Sequence, residues 1–252
     1  MKKRILSLLM ALCLAMTLLP AAALATEENG DSSVSQTQEG DAGSSSADTV
    51  STSTTWDGTS VDTRWYTEAE GNADEYTITT AAQLAGLSRL VYNGTTFSGK
   101  TIKLGASIDL AWKEWTPIGR NVTGFKFEGT FDGQNYIISN LKITKGVSNI
   151  AANNYVGLFG ACTNAAELLN FTLNNVDVKG SINVAAVLGG SGGAEAKITN
   201  VHVTGSVKVY GYWYVGGILG KGYSTVTNCS VEGDGAATSY VSITGGYVGG
   251  IV

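Results

Sequence analysis

The sequence predicts an all-β solenoid, a fold in which short turns of strand stack along one axis. Glycine makes up 33 of the 252 residues, about 13% where roughly 7% is usual. Charged residues are only 15% and proline occurs twice, and two short motifs recur in one register over the C-terminal half. This pattern argues against a helical bundle or collagen. A net charge of −5 also argues against nucleic-acid binding, which needs a basic face.

The first motif is an alternating hydrophobic segment with asparagine at its third position. It occupies residues 138–143, 168–173, 198–203 and 226–231, so that its asparagines recur at positions 140, 170, 200 and 228. The second motif centres on Tyr-Val-Gly or a variant of it and occupies residues 155–160, 183–189, 214–220 and 247–252. Successive asparagines are therefore 30, 30 and 28 residues apart. A period near 30 residues, with strand-like alternation and glycine turns, is typical of a solenoid.

Stacked turns place equivalent side chains above one another at the strand spacing of about 4.8 Å. The alignment predicts two aliphatic columns: Ile138, Leu168, Ile198 and Val226, and Ile143, Leu173, Val203 and Val231. It also predicts an amide ladder formed by Asn140, Asn170, Asn200 and Asn228. In such a ladder each side chain bonds to the turns above and below it.

Residues 1–55 combine an export signal and a tether. Residues 1–25 have the pattern of a signal peptide, with basic residues at 2–4, an apolar stretch at 5–19 and Ala-Leu-Ala at 23–25. Residues 26–55 hold six acidic residues but no lysine, arginine or aromatic residue, which predicts a disordered linker. We therefore expect a secreted or cell-surface protein, of the Gram-positive type, with no membrane span after signal removal.

Residues 56–120 are predicted to form an N-terminal cap, followed by the repeats at 121–252. Apolar residues between 81 and 91 follow a helical period, with Thr80 suited to the N-cap and Asn93-Gly94 to the end. One capping helix is therefore expected near 81–91. The chain ends inside a copy of the second motif at Val252, so we expect a C-terminally truncated solenoid and a monomeric segment of a longer protein.

Several of these segments resemble a known family. Val-Gly-Leu-Phe-Gly at 156–160 and Val-Gly-Gly-Ile-Leu-Gly at 215–220 look like the GLUG motif of bacterial surface proteins. Residues 127–138 look like the stretch that opens such arrays, and residues 82–85 and 114–119 are similar to the region ahead of it. The resemblance implies a right-handed parallel β-helix on an exported protein. The copy at 183–189 departs from the motif, with Ala185-Ala186 for Gly-Gly.

Little in the sequence points to catalysis. His202 is the only histidine, which excludes a His-Glu-x-x-His peptidase and a three-histidine metal site. Its place between two valines predicts an outward-facing structural residue. Glycoside hydrolysis needs two carboxylates about 5–9.5 Å apart, and the acids Asp132, Asp177, Glu195 and Glu232 occupy different repeat positions. We expect neither enzymatic activity nor a bound metal or cofactor. The resemblance to the GLUG family implies no catalytic residue.

The candidate binding residues are aromatic. The other repeats have no aromatic residues at the positions of Tyr210, Tyr212 and Trp213. Exposed aromatic faces can stack on sugars or anchor a partner. The alternative is a structural role, in which the turn is wider here and these rings pack against its own corner. Cys162 and Cys229 follow different motifs, which favours two buried thiols over a disulfide.

These observations predict a non-enzymatic scaffold or adhesin-like stalk that binds a host or matrix glycan or protein. Two alternatives remain open: a polysaccharide lyase or hydrolase built on a β-helix, and a purely structural spacer. Nothing in the sequence identifies the ligand.

Overall fold

A computed structural model describes residues 53–146, 148, 151–163, 165–191, 195–233, 235 and 241–251. The predicted signal peptide and residues 26–52 of the predicted linker lie outside the described residues. All described residues belong to one compact unit, Asp48–Val252.

The described part of the chain is mostly strand. Its helices are α1 (Arg64–Thr67), α2 (Ala81–Tyr92) and a 3₁₀ helix (Ala151–Asn153). Its strands are β1 (Glu75–Ile78), β2 (Thr101–Leu104), β3 (Ile108–Asp109), β4 (Thr130–Asp132), β5 (Ile137–Thr144), β6 (Phe159–Ala161), β7 (Glu167–Lys179), β8 (Ile182–Ala185), β9 (Leu188–Gly190), β10 (Lys197–Tyr210), β11 (Trp213–Gly216), β12 (Leu219–Lys221), β13 (Thr225–Thr227), β14 (Ser230–Val231), β15 (Val241–Thr244) and β16 (Val248–Gly249).

The strands stack into three parallel sheets. The first follows the path β1-β2-β4-β7-β10-β13, with β3, β5, β14 and β15 alongside, and the others are β8-β11-β16 and β6-β9-β12. Every pairing between the described strands is parallel. Paired residues come from successive turns, as where Val215 pairs with both Val184 and Val248. The fold is a β-solenoid of about four turns, which confirms the predicted fold class.

Helix α2 begins with a capping box. Thr80 Oγ1 accepts a hydrogen bond from the backbone N of Gln83 (3.2 Å), and Gln83 Oε1 accepts one from the backbone N of Thr80 (3.3 Å). Leu84, Leu87 and Val91 on one face belong to the same hydrophobic core as the strands. The helix therefore packs against the solenoid through its apolar face. Its range, Ala81–Tyr92, is almost the one that the sequence predicts.

Inward-facing side chains form continuous columns, but the turn that contains Ile138 and Ile143 has a different register from the predicted one. The columns are Ile102, Phe131, Leu168, Ile198 and Val226; Ile108, Ile138, Leu173, Val203 and Val231; and Ile143, Val178, Val209 and Ile243. The predicted pairing of Ile138 with Leu168 and of Ile143 with Leu173 is therefore wrong. Each of these isoleucines lies one column further along the turn.

The error arises because the asparagine motif occurs twice in one turn. Residues 168–173 (Leu-Leu-Asn-Phe-Thr-Leu) and residues 173–178 (Leu-Asn-Asn-Val-Asp-Val) both place asparagine third between apolar residues. Residues 138–143 pair with the second copy, whereas β4 supplies the partner of the first copy. The two corners of one turn have the same local requirements, so one segment of sequence fits either.

Candidate binding surface

Amide side chains connect the turns at one corner of the solenoid. Asn228 Nδ2 donates to Asn200 Oδ1 (2.6 Å), Asn200 Nδ2 donates to Asn170 Oδ1 (3.0 Å), and Asn170 Nδ2 donates to Asp132 Oδ1 (3.1 Å). The three asparagines have φ values between 49° and 54°, a left-handed conformation that asparagine tolerates better than most residues. Each asparagine therefore both closes the corner and bonds to the next turn.

Asn140 lies in a separate ladder at the next corner. Its Nδ2 donates to Asp109 Oδ1 (2.8 Å), and its Oδ1 accepts from Asn175 Nδ2 (3.3 Å). Asn175 Oδ1 in turn accepts from the backbone N of Ser206 (3.0 Å). The prediction that Asn140 shares a ladder with Asn170 is wrong, for the same reason as the column register.

An aspartate stands at the start of each ladder. Asp109 Oδ1 also accepts from the backbone N of Ala111 (2.7 Å), and Asp132 Oδ1 from that of Gln134 (3.0 Å). A carboxylate only accepts hydrogen bonds, which suits this position because each of these asparagines donates toward the N-terminal end of the solenoid. Sequence reasoning missed this role. An aspartate one turn ahead of a series of equivalent asparagines is the pattern that could have revealed it.

Four aromatic rings form a continuous surface after the corner that follows β10. Tyr212 and Trp213 meet edge to face (5.4 Å between centroids), Trp213 meets Tyr247 (5.1 Å), and Tyr247 stacks on Tyr214 (5.4 Å, 18° between planes). Tyr212 is 56% exposed, Trp213 36% and Tyr247 57%. We call these four residues the aromatic surface.

The aromatic surface differs from the predicted binding set. Tyr210 ends β10 on the other side of Gly211; its ring is exposed and lies 5.7 Å from Lys179 Nζ. It makes no ring contact with another described aromatic residue. Tyr247 was missed because it belongs to the repeated motif, and only the stacking of the turns brings it against Trp213.

His202 faces outward between the buried residues Val201 and Val203. Its Nδ1 lies 2.8 Å from Ser230 Oγ on the next turn, and that hydroxyl donates to Glu232 Oε1 (2.8 Å). Serine therefore lies between histidine and carboxylate, whereas a catalytic triad places histidine in the middle. This chain of contacts connects two turns of the solenoid.

Both described cysteines are free thiols. Cys162 is fully buried, and burial raises the pKa of its thiol far above the usual range. Cys229 is half-buried, with its Sγ 3.3 Å from the carbonyl oxygen of Thr227, and burial also raises its pKa. Among the described residues, no positive charge lowers the pKa of either thiol, as it does in a cysteine that is reactive at neutral pH.

Comparison with known proteins identifies one distant similarity. The chain is 31% identical over 163 residues to halomucin from Haloquadratum walsbyi, a match that covers 60% of this chain and 2% of halomucin. The chain thus spans only a small fraction of that relative. No family model matches the chain, and no solved structure matches it. The β-solenoid and this similarity are compatible with a repeat-containing surface protein, and the resemblance to GLUG proteins stays a prediction.

Proposed function

We propose that this β-solenoid is a non-enzymatic scaffold, exported or held at the cell surface, whose aromatic surface binds a glycan. The observation that carries the proposal is the run of mutually contacting rings, three of them exposed, across two successive turns. Tyrosine and tryptophan provide large rigid faces that lose little conformational entropy on contact. The flat face of a sugar ring is a natural partner for such a surface.

The backbone beneath the rings favours a preformed site. Val215 follows Trp213 and Tyr214 in β11 and is buried, and it pairs with Val184 on one side and Val248 on the other. Lys221 Nζ lies 4.1 Å from the centroid of the Tyr214 ring, which adds a cation–π contact. Rings fixed before binding reduce the ordering cost that a ligand must offset.

Two observations support the surface location: the pattern of the N-terminal residues and the similarity to halomucin. Residues 1–25 have the pattern of an export signal. Within the described residues, no helix has the length and apolar character needed to cross a membrane. The similarity to halomucin is compatible with a surface protein.

A glycan array tests the proposal with three forms of the full chain. The parent should bind at least one glycan, and a Tyr212→Ala, Trp213→Ala double variant should lose that binding. Tyr223→Ala is the matched control, because Tyr223 is 77% exposed and outside the aromatic surface; its binding should equal that of the parent.

Three results would contradict the proposal. Equal binding by the parent and the double variant would exclude the aromatic surface, and binding to no glycan would favour the spacer. Release of reducing ends or unsaturated sugars from a bound polysaccharide would instead favour the lyase or hydrolase.

A further inference from the structure

A concave region lies beside the C-terminal end of α2. It consists of two adjoining cavities of about 520 Å³ each, which share Tyr92, Thr116 and Lys145. Such volumes are in the range of small-ligand sites, roughly 300–1,000 Å³. We call this region the cap cleft, and we infer that it binds an acidic saccharide.

The lining of the cap cleft is basic although the protein is acidic overall. Arg89 and Lys145 line the first cavity, Arg120 and Lys145 line the second, and Glu114 is the one carboxylate among the residues that line them. Glu114 Oε1 already accepts from the backbone N of Thr144. A group of cations in a cleft of a chain with net charge −5 focuses a local positive potential.

These cations have no anionic partner in the described part of the chain. Its ion pairs involve Arg64, Lys100, Lys103 and Lys197. Arg89, Arg120 and Lys145 pair with no described carboxylate. Their charges are thus available to a ligand.

Arg120 is held ready for an anion. Its guanidinium carbon lies 4.5 Å from the ring centroid of Tyr92 and 4.1 Å from that of Phe125. Its Nε is buried without a hydrogen-bond partner among the described residues. A planar guanidinium that lies against two rings and has an unused Nε donor suits a carboxylate, which guanidinium groups bind in a planar, bidentate geometry.

The remaining lining fits a sugar more closely than a simple ion. Tyr92 is exposed enough to stack against a sugar ring, and the side chains of Asn93 and Asn121 supply amide groups for hydroxyls. The cations are spread over both cavities, which suits an oligosaccharide with a carboxylate on successive sugars. None of these residues belongs to the aromatic surface, so the inference does not rest on the proposed function.

Calorimetric titration of the full chain with a hexamer of galacturonic acid tests this site, with a neutral glucose hexamer for comparison. The acidic hexamer should bind at least about tenfold more tightly than the neutral one. Arg120→Gln combined with Lys145→Gln should weaken that binding by at least about tenfold. Lys179→Gln, which removes a charge outside the cap cleft, should change it less than about twofold.

Three results would overturn the inference. These are no binding of the acidic hexamer by the parent, equal loss in the double variant and the Lys179→Gln control, and equally tight binding of a hexamer of glutamate. The last would show that charge alone is recognised. Thermal unfolding of each variant distinguishes loss of the site from loss of the fold. Arg89→Gln alone is a further test, because Arg89 is exposed and its substitution should also weaken binding.

Discussion

The side-chain amide of Asn200 donates a 3.0 Å hydrogen bond to Asn170 one turn away, while its carbonyl oxygen accepts a 2.6 Å bond from Asn228 on the next turn. The same residue holds a left-handed backbone conformation at φ 54°. One side chain thus satisfies a local turn and a contact between turns. This double role explains why asparagine recurs at the period of the solenoid.

Asn200→Ala should lower the free energy of unfolding by roughly 1–3 kcal/mol, because both ladder bonds are lost and neighbouring groups are left unpaired. Asn135→Ala is the matched control. Asn135 is exposed and also has a positive φ of 61°, so both variants place alanine in the same strained conformation. Equal losses in urea titrations would remove the ladder from the explanation.

Asp132→Ala should destabilise the protein by roughly 1.5–3 kcal/mol, the usual range for hydrogen bonds to a charged group. The substitution removes the acceptor for both Asn170 Nδ2 and the backbone N of Gln134. Asp132→Asn should cost clearly less, since its amide oxygen can accept the same bonds. If the two variants are equally unstable in denaturant titration, the negative charge rather than the acceptor geometry is what the ladder needs.

Ile198→Asp should cost several kcal/mol or prevent folding, because it buries a charge in the column that joins Leu168 to Val226. Ile198→Val should cost only about 0.5–1.5 kcal/mol. Circular dichroism during thermal unfolding measures both. A loss below about 0.5 kcal/mol for the aspartate variant, the size of a surface change, would mean that the column is misplaced.

Cys162 should resist thiol reagents in the folded protein. Burial raises the pKa of its thiol, so the reactive thiolate is scarce at neutral pH and the sulfur is also inaccessible. In a Cys229→Ser variant without the predicted signal peptide, a thiol reagent should therefore react only after denaturant is added. Fast reaction of the folded variant would show that Cys162 is accessible, contrary to the structure.

Much of the fold follows from the sequence, because periodic stacking leaves a repeated pattern of asparagine, glycine and aliphatic residues. The helix is also predictable, since Thr80 and Gln83 provide a local capping signal. The register of residues 138–143 does not follow from the sequence, because Asn140 fits either of two similar corners. The short helix α1 was not predicted, as a single helical turn has no period to detect.

The candidate sites were less predictable than the fold. Tyr212 and Trp213 stand out in the sequence as surplus aromatics, but Tyr247 joins them only through the stacking of successive turns. The cap cleft depends on segments far apart in sequence, with Arg89 on α2 and Lys145 just after β5. No single stretch of sequence shows the group of positive charges that forms when these segments come together in the fold.

The central claim is that rings from successive turns act together as one binding surface. A double-mutant cycle on Trp213 and Tyr247, with affinity for the glycan identified on the array measured by calorimetry, tests it most directly. The 5.1 Å ring contact predicts a coupling energy of at least about 0.5 kcal/mol between Trp213→Ala and Tyr247→Ala. Effects that add to within about 0.3 kcal/mol, or a Tyr247→Ala variant that binds like the parent, would contradict it.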